Sequence, residues 1–270
     1  MIKGQKMDKN YALITGATGG LGKAFAYALA KQGKPLILTG RSAEKLNNLA
    51  LELQEKFPTL SIKVIAANLA NEQGRYALMQ EICEMSVRIS TLVNVAGVDI
   101  QKPVCDYMQE KLIFQCRVNL EAAVSLCHFA IENKADRLEI INISSVSGIY
   151  PMPYFALYSA TKSALTSFSV ALREEMKGKN VAITAVLPGA IPTREDIKEQ
   201  IKGQGLWGKL AAKSPQFVAQ TALKAVRKNR RTVIPGFWNK LMRVSTAILP
   251  LGIKLKFIAK RWSKIQKDAF

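Results

Sequence analysis

Near the start of the chain, an apolar run (Tyr11–Thr15) passes directly into Thr15-Gly16-Ala17-Thr18-Gly19-Gly20-Leu21-Gly22, and a helical pattern follows. Few folds can use such a junction. A strand that turns sharply on glycines into a helix lets backbone approach a pyrophosphate and packs the helix tightly on the strand. The free N–H groups and positive dipole end of that helix then face the phosphates. The junction therefore predicts an open α/β sheet with a nucleotide site at its first turn, formed by Gly16, Thr18, Gly20, Leu21 and Gly22.

The rest of the chain keeps this rhythm. Nearly continuous apolar runs, as in strands buried on both faces, are expected at Tyr11–Thr15, Pro35–Thr39, Ser61–Ala66, Thr91–Val95, Leu138–Ser144, Val181–Leu187 and Thr232–Pro235. Helices are expected over Leu21–Gln32, Ser42–Lys56, Glu72–Met85, Tyr107–Asn133 and Tyr154–Lys177, with another opening at Ser214-Pro215. The pattern is that of a doubly wound parallel sheet in one domain over residues 1–236, followed by a basic amphipathic extension over 237–270. Hydrophobic residues make up 49% of the 270, enough for a sizeable core.

Composition excludes several chemistries. His128 is the only histidine, which argues against a histidine metal site or a Ser-His-Asp triad. The four scattered cysteines show no zinc or redox spacing and suit a reduced, cytoplasmic protein. No metal is expected. No apolar stretch reaches the ~20 residues of a membrane-spanning helix, and the short basic lead over residues 1–6 does not read as a signal peptide.

Two further patterns carry chemistry. The second strand ends Thr39-Gly40-Arg41, where an NAD site would place an acidic residue on the ribose; Arg41 instead offers a forked cation for a phosphate monoester, which favours NADP. Ser144-Ser145 closes a strand, and Tyr158 and Lys162 follow four residues apart on one helix face. A free tyrosine, with a pKa near ~10, is a poor base at neutral pH; a neighbouring ammonium stabilises the phenolate and lets it exchange a proton with a carbonyl or alcohol oxygen.

Taken together and in order, these motifs resemble those of the short-chain dehydrogenase/reductase family over about residues 10–235. Thr15-Gly16 to Gly22 resembles its cofactor turn. Asn94-Val95-Ala96-Gly97 resembles its Asn-Asn-Ala-Gly segment, with Val95 in place of the second asparagine. Asn119 falls where the family keeps a helix asparagine, and Ser145, Tyr158 and Lys162 match its catalytic trio. Pro188-Gly189-Ala190-Ile191-Pro192-Thr193 matches its loop over the nicotinamide.

The resemblance implies a Rossmann fold, NADP(H) as cofactor and paired subunits across the two long helices. It implies Tyr158 as general acid/base, Lys162 tuning it and gripping the nicotinamide ribose, Ser145 orienting the substrate oxygen, and Asn119 holding a water that links Lys162 to solvent. Asn94, Ala96, Gly97, Pro188, Gly189, Ile191 and Thr193 would line the cofactor. Asn68-Leu69 stands where many members carry an aspartate on the adenine. Ser144 reads as structural. A non-catalytic NADP-binding regulator on the same fold is the alternative reading.

Two regions speak to substrate and partners. Residues 193–212 read as a lid, with Ile197, Ile201, Leu206 and Trp207 as its apolar side and Gly203, Gly205 and Gly208 as hinges; residues 149–155 add an apolar wall. A lipophilic carbonyl fits both: a 3-oxoacyl chain, a long-chain ketone or a hydroxysteroid. The formal net charge is +19, and residues 227–270 hold twelve Lys or Arg against one acidic residue, Asp268. Mixed with Leu, Ile, Phe and Trp, and broken at Pro250 and Gly252, that segment reads as two amphipathic pieces lying on an anionic membrane surface, or packing on its own domain. It has no nucleic-acid-binding pattern.

Overall fold

The structure is a computed structural model and describes residues 10–193, 197, 199, 201 and 210–263. Seven strands form one parallel sheet: β1 (Asn10–Ile14), β2 (Leu36–Gly40), β3 (Ile62–Ala66), β4 (Arg88–Asn94), β5 (Lys134–Ile143), β6 (Val181–Val186) and β7 (Thr232–Val233). Their order, β3-β2-β1-β4-β5-β6-β7, reverses direction between β1 and β4. A doubly wound sheet opens its ligand crevice at that switch point, and the glycine turn leaves β1 there.

Alternate strand residues serve two cores. Ala12, Ile14, Leu36 and Leu38 pack with α1 (Gly20–Ala30), α2 (Ala43–Lys56) and α7 (Pro215–Arg227). Tyr11, Leu13, Ile37 and Ile65 face the other way, toward α3 (Glu72–Glu84), α5 (Ala122–Glu132) and α6 (Ala156–Glu175). Predicted caps take the expected form: the Ser42 side chain accepts from Lys45 N, and that of Ser214 accepts from Phe217 N with Pro215 in the first turn.

Several boundaries depart from the sequence reading: β4 begins at Arg88 and β5 at Lys134, three and four residues before the expected Thr91 and Leu138, and three others have a plain physical cause. The helix expected over Tyr107–Asn133 is α4 (Gln109–Cys116), a π-helical segment Arg117–Glu121, and α5. A π segment inserts an extra residue into the ladder, which residue periodicity does not reveal. The helix expected from Tyr154 starts at Ala156, because Tyr154 sits in the left-handed region with φ +63. Strand β7 stops at Val233, and Pro235, with no N–H, cannot extend the ladder.

Beyond β7 the chain forms α8 (Phe237–Ile248) and α9 (Leu251–Trp262). The break falls at Leu249-Pro250; Gly252, expected to share in it, lies inside α9. Among the described residues no helix is long and apolar enough to cross a membrane.

Candidate active site

A cleft of about 1260 Å³ lies over the ends of the central strands. That exceeds the ~300–1,000 Å³ usual for one small ligand. Its floor is the glycine turn. Gly16 has φ +59, and a Cβ there would come within 3.0 Å of the Ala96 Cα, so only glycine lets the first turn lie this close to the loop after β4. Thr15 joins the two loops with one hydroxyl: its Oγ1 accepts from both Val95 N and Ala96 N at 3.0 Å. Thr18, Gly20, Leu21 and Gly22 line the same floor.

Strand β5 and helix α6 position the expected serine, tyrosine and lysine. Ser145 follows β5 and caps a short 3-10 turn, Val146–Gly148, its Oγ accepting from Ser147 N at 3.0 Å. Tyr158 and Lys162 stand one turn apart on α6, and all three line the cleft. Lys162 is 4% exposed; its Nζ donates to Ile143 O at 2.9 Å and lies 5.7 Å from the Tyr158 ring centroid. Burial lowers this ammonium from 10.5 to about 8, countered in part by the negative charge of Asp99. Phe155 stacks on Tyr158 with centroids 4.3 Å apart. Ser144 donates to Lys162 O at 2.7 Å, the structural bond expected of it.

Asn119 sits in the π segment, buried, with Oδ1 accepting from Val98 N at 2.8 Å and Nδ2 donating to Val98 O at 2.9 Å and Thr161 Oγ1 at 3.2 Å. It converges with Lys162 on Gly97: a Cβ there would sit 3.2 Å from Lys162 Nζ and 3.4 Å from Asn119 Oδ1.

Asn94 stands elsewhere. Its Nδ2 donates to Asn142 Oδ1 at 2.8 Å, and Asn142 Nδ2 donates to Ser169 Oγ at 2.9 Å. This side chain ties β4 to β5 and α6 and does not reach the cleft, contrary to the place expected for it on the cofactor.

The remaining expected cofactor residues, Arg41, Asn68, Leu69, Ala96, Gly97, Pro188, Gly189, Ile191 and Thr193, all line the cleft. Asn68 also accepts from Ala70 N at 3.1 Å through its Oδ1, which shapes its loop. Of the expected lid, Ile197 and Ile201 line the cleft; Gly203, Gly205, Leu206, Trp207 and Gly208 lie outside the described residues.

Three residues escaped the sequence reading. Lys45 joins Arg41 at the cleft, one helical turn on; that spacing was available as a signal. Asp99 faces Lys162 across the cleft loop. Asn239 of α8 is 1% exposed, donates to Ala211 O and Pro235 O at 3.0 and 2.8 Å, and packs against Gly189; its Oδ1 has no partner among the described residues. The tail therefore builds one wall of the cleft, with Leu249, Ile253, Phe257, Ile258 and Trp262 continuing it.

A nucleotide-binding parallel sheet with a serine, tyrosine and lysine converging on its crevice defines a dinucleotide-dependent oxidoreductase. A model of the short chain dehydrogenase family matches residues 10–202, and the chain belongs to the short-chain dehydrogenase/reductase family. The very-long-chain 3-oxoacyl-CoA reductase of Bos taurus is 32% identical over 231 residues, which is 82% of this chain and 70% of the relative. A structure solved to study 7β-hydroxysteroid dehydrogenase stereoselectivity superposes with a TM-score of 0.82 at 25% identity, covering 93% of this chain and 96% of that one. L-sorbose reductase from Gluconobacter frateurii, solved with NADPH and L-sorbose, superposes with a TM-score of 0.74 at 26% identity over 85% of this chain and 97% of that one.

Proposed function

We propose that the chain is an NADP(H)-dependent oxidoreductase that interconverts a ketone and a secondary alcohol on a hydrophobic substrate. The observation that carries this reading is the buried Lys162 ammonium held beside the Tyr158 ring at the base of the cleft. Gly16, Thr18, Gly20, Leu21 and Gly22 would hold the cofactor's pyrophosphate, Arg41 and Lys45 its ribose phosphate, Asn68 and Leu69 its adenine. Ala96, Gly97, Pro188, Gly189, Ile191 and Thr193 would hold the nicotinamide half. The close approach of Gly16 to Ala96, which a side chain would fill, fits such a group.

When bound, the reduced nicotinamide supplies a hydride, two electrons and one proton, to the carbonyl carbon. The chain's own residues manage the oxygen. Ser145 donates a hydrogen bond to it, and Tyr158 gives it the phenolic proton, leaving a phenolate and a neutral alcohol. Lys162, charged, stabilises the phenolate. Asn119 sits in the π segment beside the ammonium and serves the water that returns the proton. In the reverse direction the phenolate takes the alcohol proton.

The cleft's apolar walls favour a lipophilic ketone, and the names of the bovine relative and the steroid-enzyme structure agree with that choice. We read residues 1–236 as the catalytic domain and 237–270 as an extension that also meets an anionic membrane surface from the cytoplasm. In support, Phe237, Leu241 and Val244 are exposed at helical spacing on α8, with Lys240 and Arg243 exposed between them. A homo-oligomer is supported by the exposed Met108 and Ile113 at α4. NADPH oxidation measured against 3-oxoacyl thioesters, ketosteroids and small ketones tests the reading; no turnover of any of them would overturn it.

A further inference from the structure

The loop after β3 and the π segment that carries Asn119 are distant in the chain, and one buried guanidinium joins them. Arg75 lies in the first turn of α3 and is 6% exposed. Its Nη1 donates to Leu69 O at 2.9 Å, and its Nη2 donates to the Glu121 carboxylate. Glu121 closes the π segment and meets Arg117 at its other end. A guanidinium presents its donors in a fixed plane, so two acceptors bound at once are held at a set separation.

Both ends of this joint bear on the cleft. Leu69 lines it, and Asn68-Leu69 is the stretch read above as holding the adenine. The loop runs into α3 through Asn71, whose Oδ1 accepts from Gly74 N at 2.7 Å. At the other end, Asn119 stands two residues before Glu121. Its Nδ2 donates to Thr161 Oγ1, and the Thr161 hydroxyl donates to Tyr158 O at 2.9 Å, so the π segment is bonded to the helical turn of the phenol and the ammonium. Ala70 adds an apolar contact by packing with Val98 and Val118. Arg75 and Glu121 themselves lie outside the cleft lining. A buried cation is held in place by its partners, and losing one of them leaves the charge uncompensated. The arginine therefore ties the two segments more strictly than apolar packing alone would.

We propose that Arg75 is a positioning residue that couples the two ends of the cofactor site: seating the adenine end at Leu69 fixes, through Arg75 and Glu121, the segment that presents Asn119 beside the Lys162 ammonium. This rests on the reductase reading above and extends it to residues remote from the reacting atoms.

The test uses the full chain and divides the cofactor into its halves. Adenosine 2′,5′-bisphosphate carries the adenine and the ribose phosphate; reduced nicotinamide mononucleotide carries the hydride. In wild type, the adenosine bisphosphate slows amide hydrogen exchange across Arg117–Glu121 at least several-fold and raises ketone turnover with the mononucleotide about fivefold or more. Glu121→Ala cuts the joint on its half-exposed side. There the adenosine bisphosphate binds with a calorimetric affinity near that of wild type, yet both effects fall below about twofold. Arg75→Lys, with a single ammonium in place of the planar fork, retains an intermediate share. Full protection and activation in Glu121→Ala would place the coupling in the contact of Ala70 with Val118, and no protection in wild type would make the two ends independent; either result overturns the proposal. Should exchange follow the expected pattern while no ketone is reduced with NADPH, the reductase reading fails and the coupling stands.

Discussion

Trp262, at the end of the last helix, stacks on Phe155 with ring centroids 6.2 Å apart and planes 19° from parallel. Phe155 in turn stacks on Tyr158, so two ring contacts link the tail to the phenol. An aromatic pair contributes about 0.5–1.5 kcal/mol beyond its buried area. Trp262→Ala is expected to raise KM for a long-chain ketone several-fold with a smaller change in kcat. Steady-state kinetics check this, and an unchanged KM would show that the contact has no part in shaping the substrate end.

Tyr158→Phe keeps the ring and its stack and removes only the hydroxyl. NADPH binding, followed by fluorescence titration, should be nearly unchanged, while turnover falls by about 10²–10⁴. Comparable turnover in the variant would remove Tyr158 from the proton-transfer role.

Arg41 and Lys45 meet the cleft at the end of β2 and the start of α2. Arg41→Ala should weaken NADPH about tenfold or more and leave NADH nearly unaffected, with Lys45→Ala a smaller step in the same direction. Equal losses for both cofactors would detach the pair from the ribose phosphate.

The Lys162 ammonium makes the ligand-free fold pH-dependent. Below about pH 8 it is charged in the folded and unfolded chain alike, and its burial counts fully against the fold. Between about 8 and 10.5 the folded chain has released a proton that the unfolded chain still holds, so stability rises with pH. At 1.36 kcal/mol per unit the whole effect is about 3 kcal/mol. Denaturant unfolding of wild type and Lys162→Met, compared at about pH 7 and pH 10, should show wild type gaining about 2 kcal/mol on the variant. A difference that does not move with pH would mean that the lysine is not desolvated as described.

The outer face of the tail is tested without deleting it, because truncation would also take Asn239 from Gly189 and α9 from the cleft. Leu241→Asp/Val244→Asp changes two exposed residues outside the cleft lining. Sedimentation with phosphatidylserine-containing vesicles should fall at least several-fold, with turnover of a short ketone unchanged. Equal sedimentation of both forms would assign the apolar stripe another partner.

Much of this was readable in the residues because it was local. The glycine turn, the Ser42 and Ser214 caps and the one-turn spacing of Tyr158 and Lys162 depend on neighbours within a few positions. Asn94 and Asn239 did not yield to the same reading, and for one reason: each is placed by partners far along the chain. Asn94 meets Asn142 across two strands, and Asn239 meets the loop at Gly189 only after α7 and β7 have folded back. The π segment at Asn119 was hidden differently, since one inserted residue leaves the apolar stripe of a helix almost intact.

The asparagine pair and Ser169 have a further meaning. Asn94, Asn142 and Ser169 run sideways from β4 through β5 into α6, and Ser169 Oγ closes on Leu165 O at 2.6 Å. Apolar packing tolerates small slips between a helix and a sheet; directed polar bonds in a dry interior do not. The helix bearing phenol and ammonium is thus keyed to the strand that leads into Ser145, so the phenol, the ammonium and the serine hydroxyl keep one mutual register.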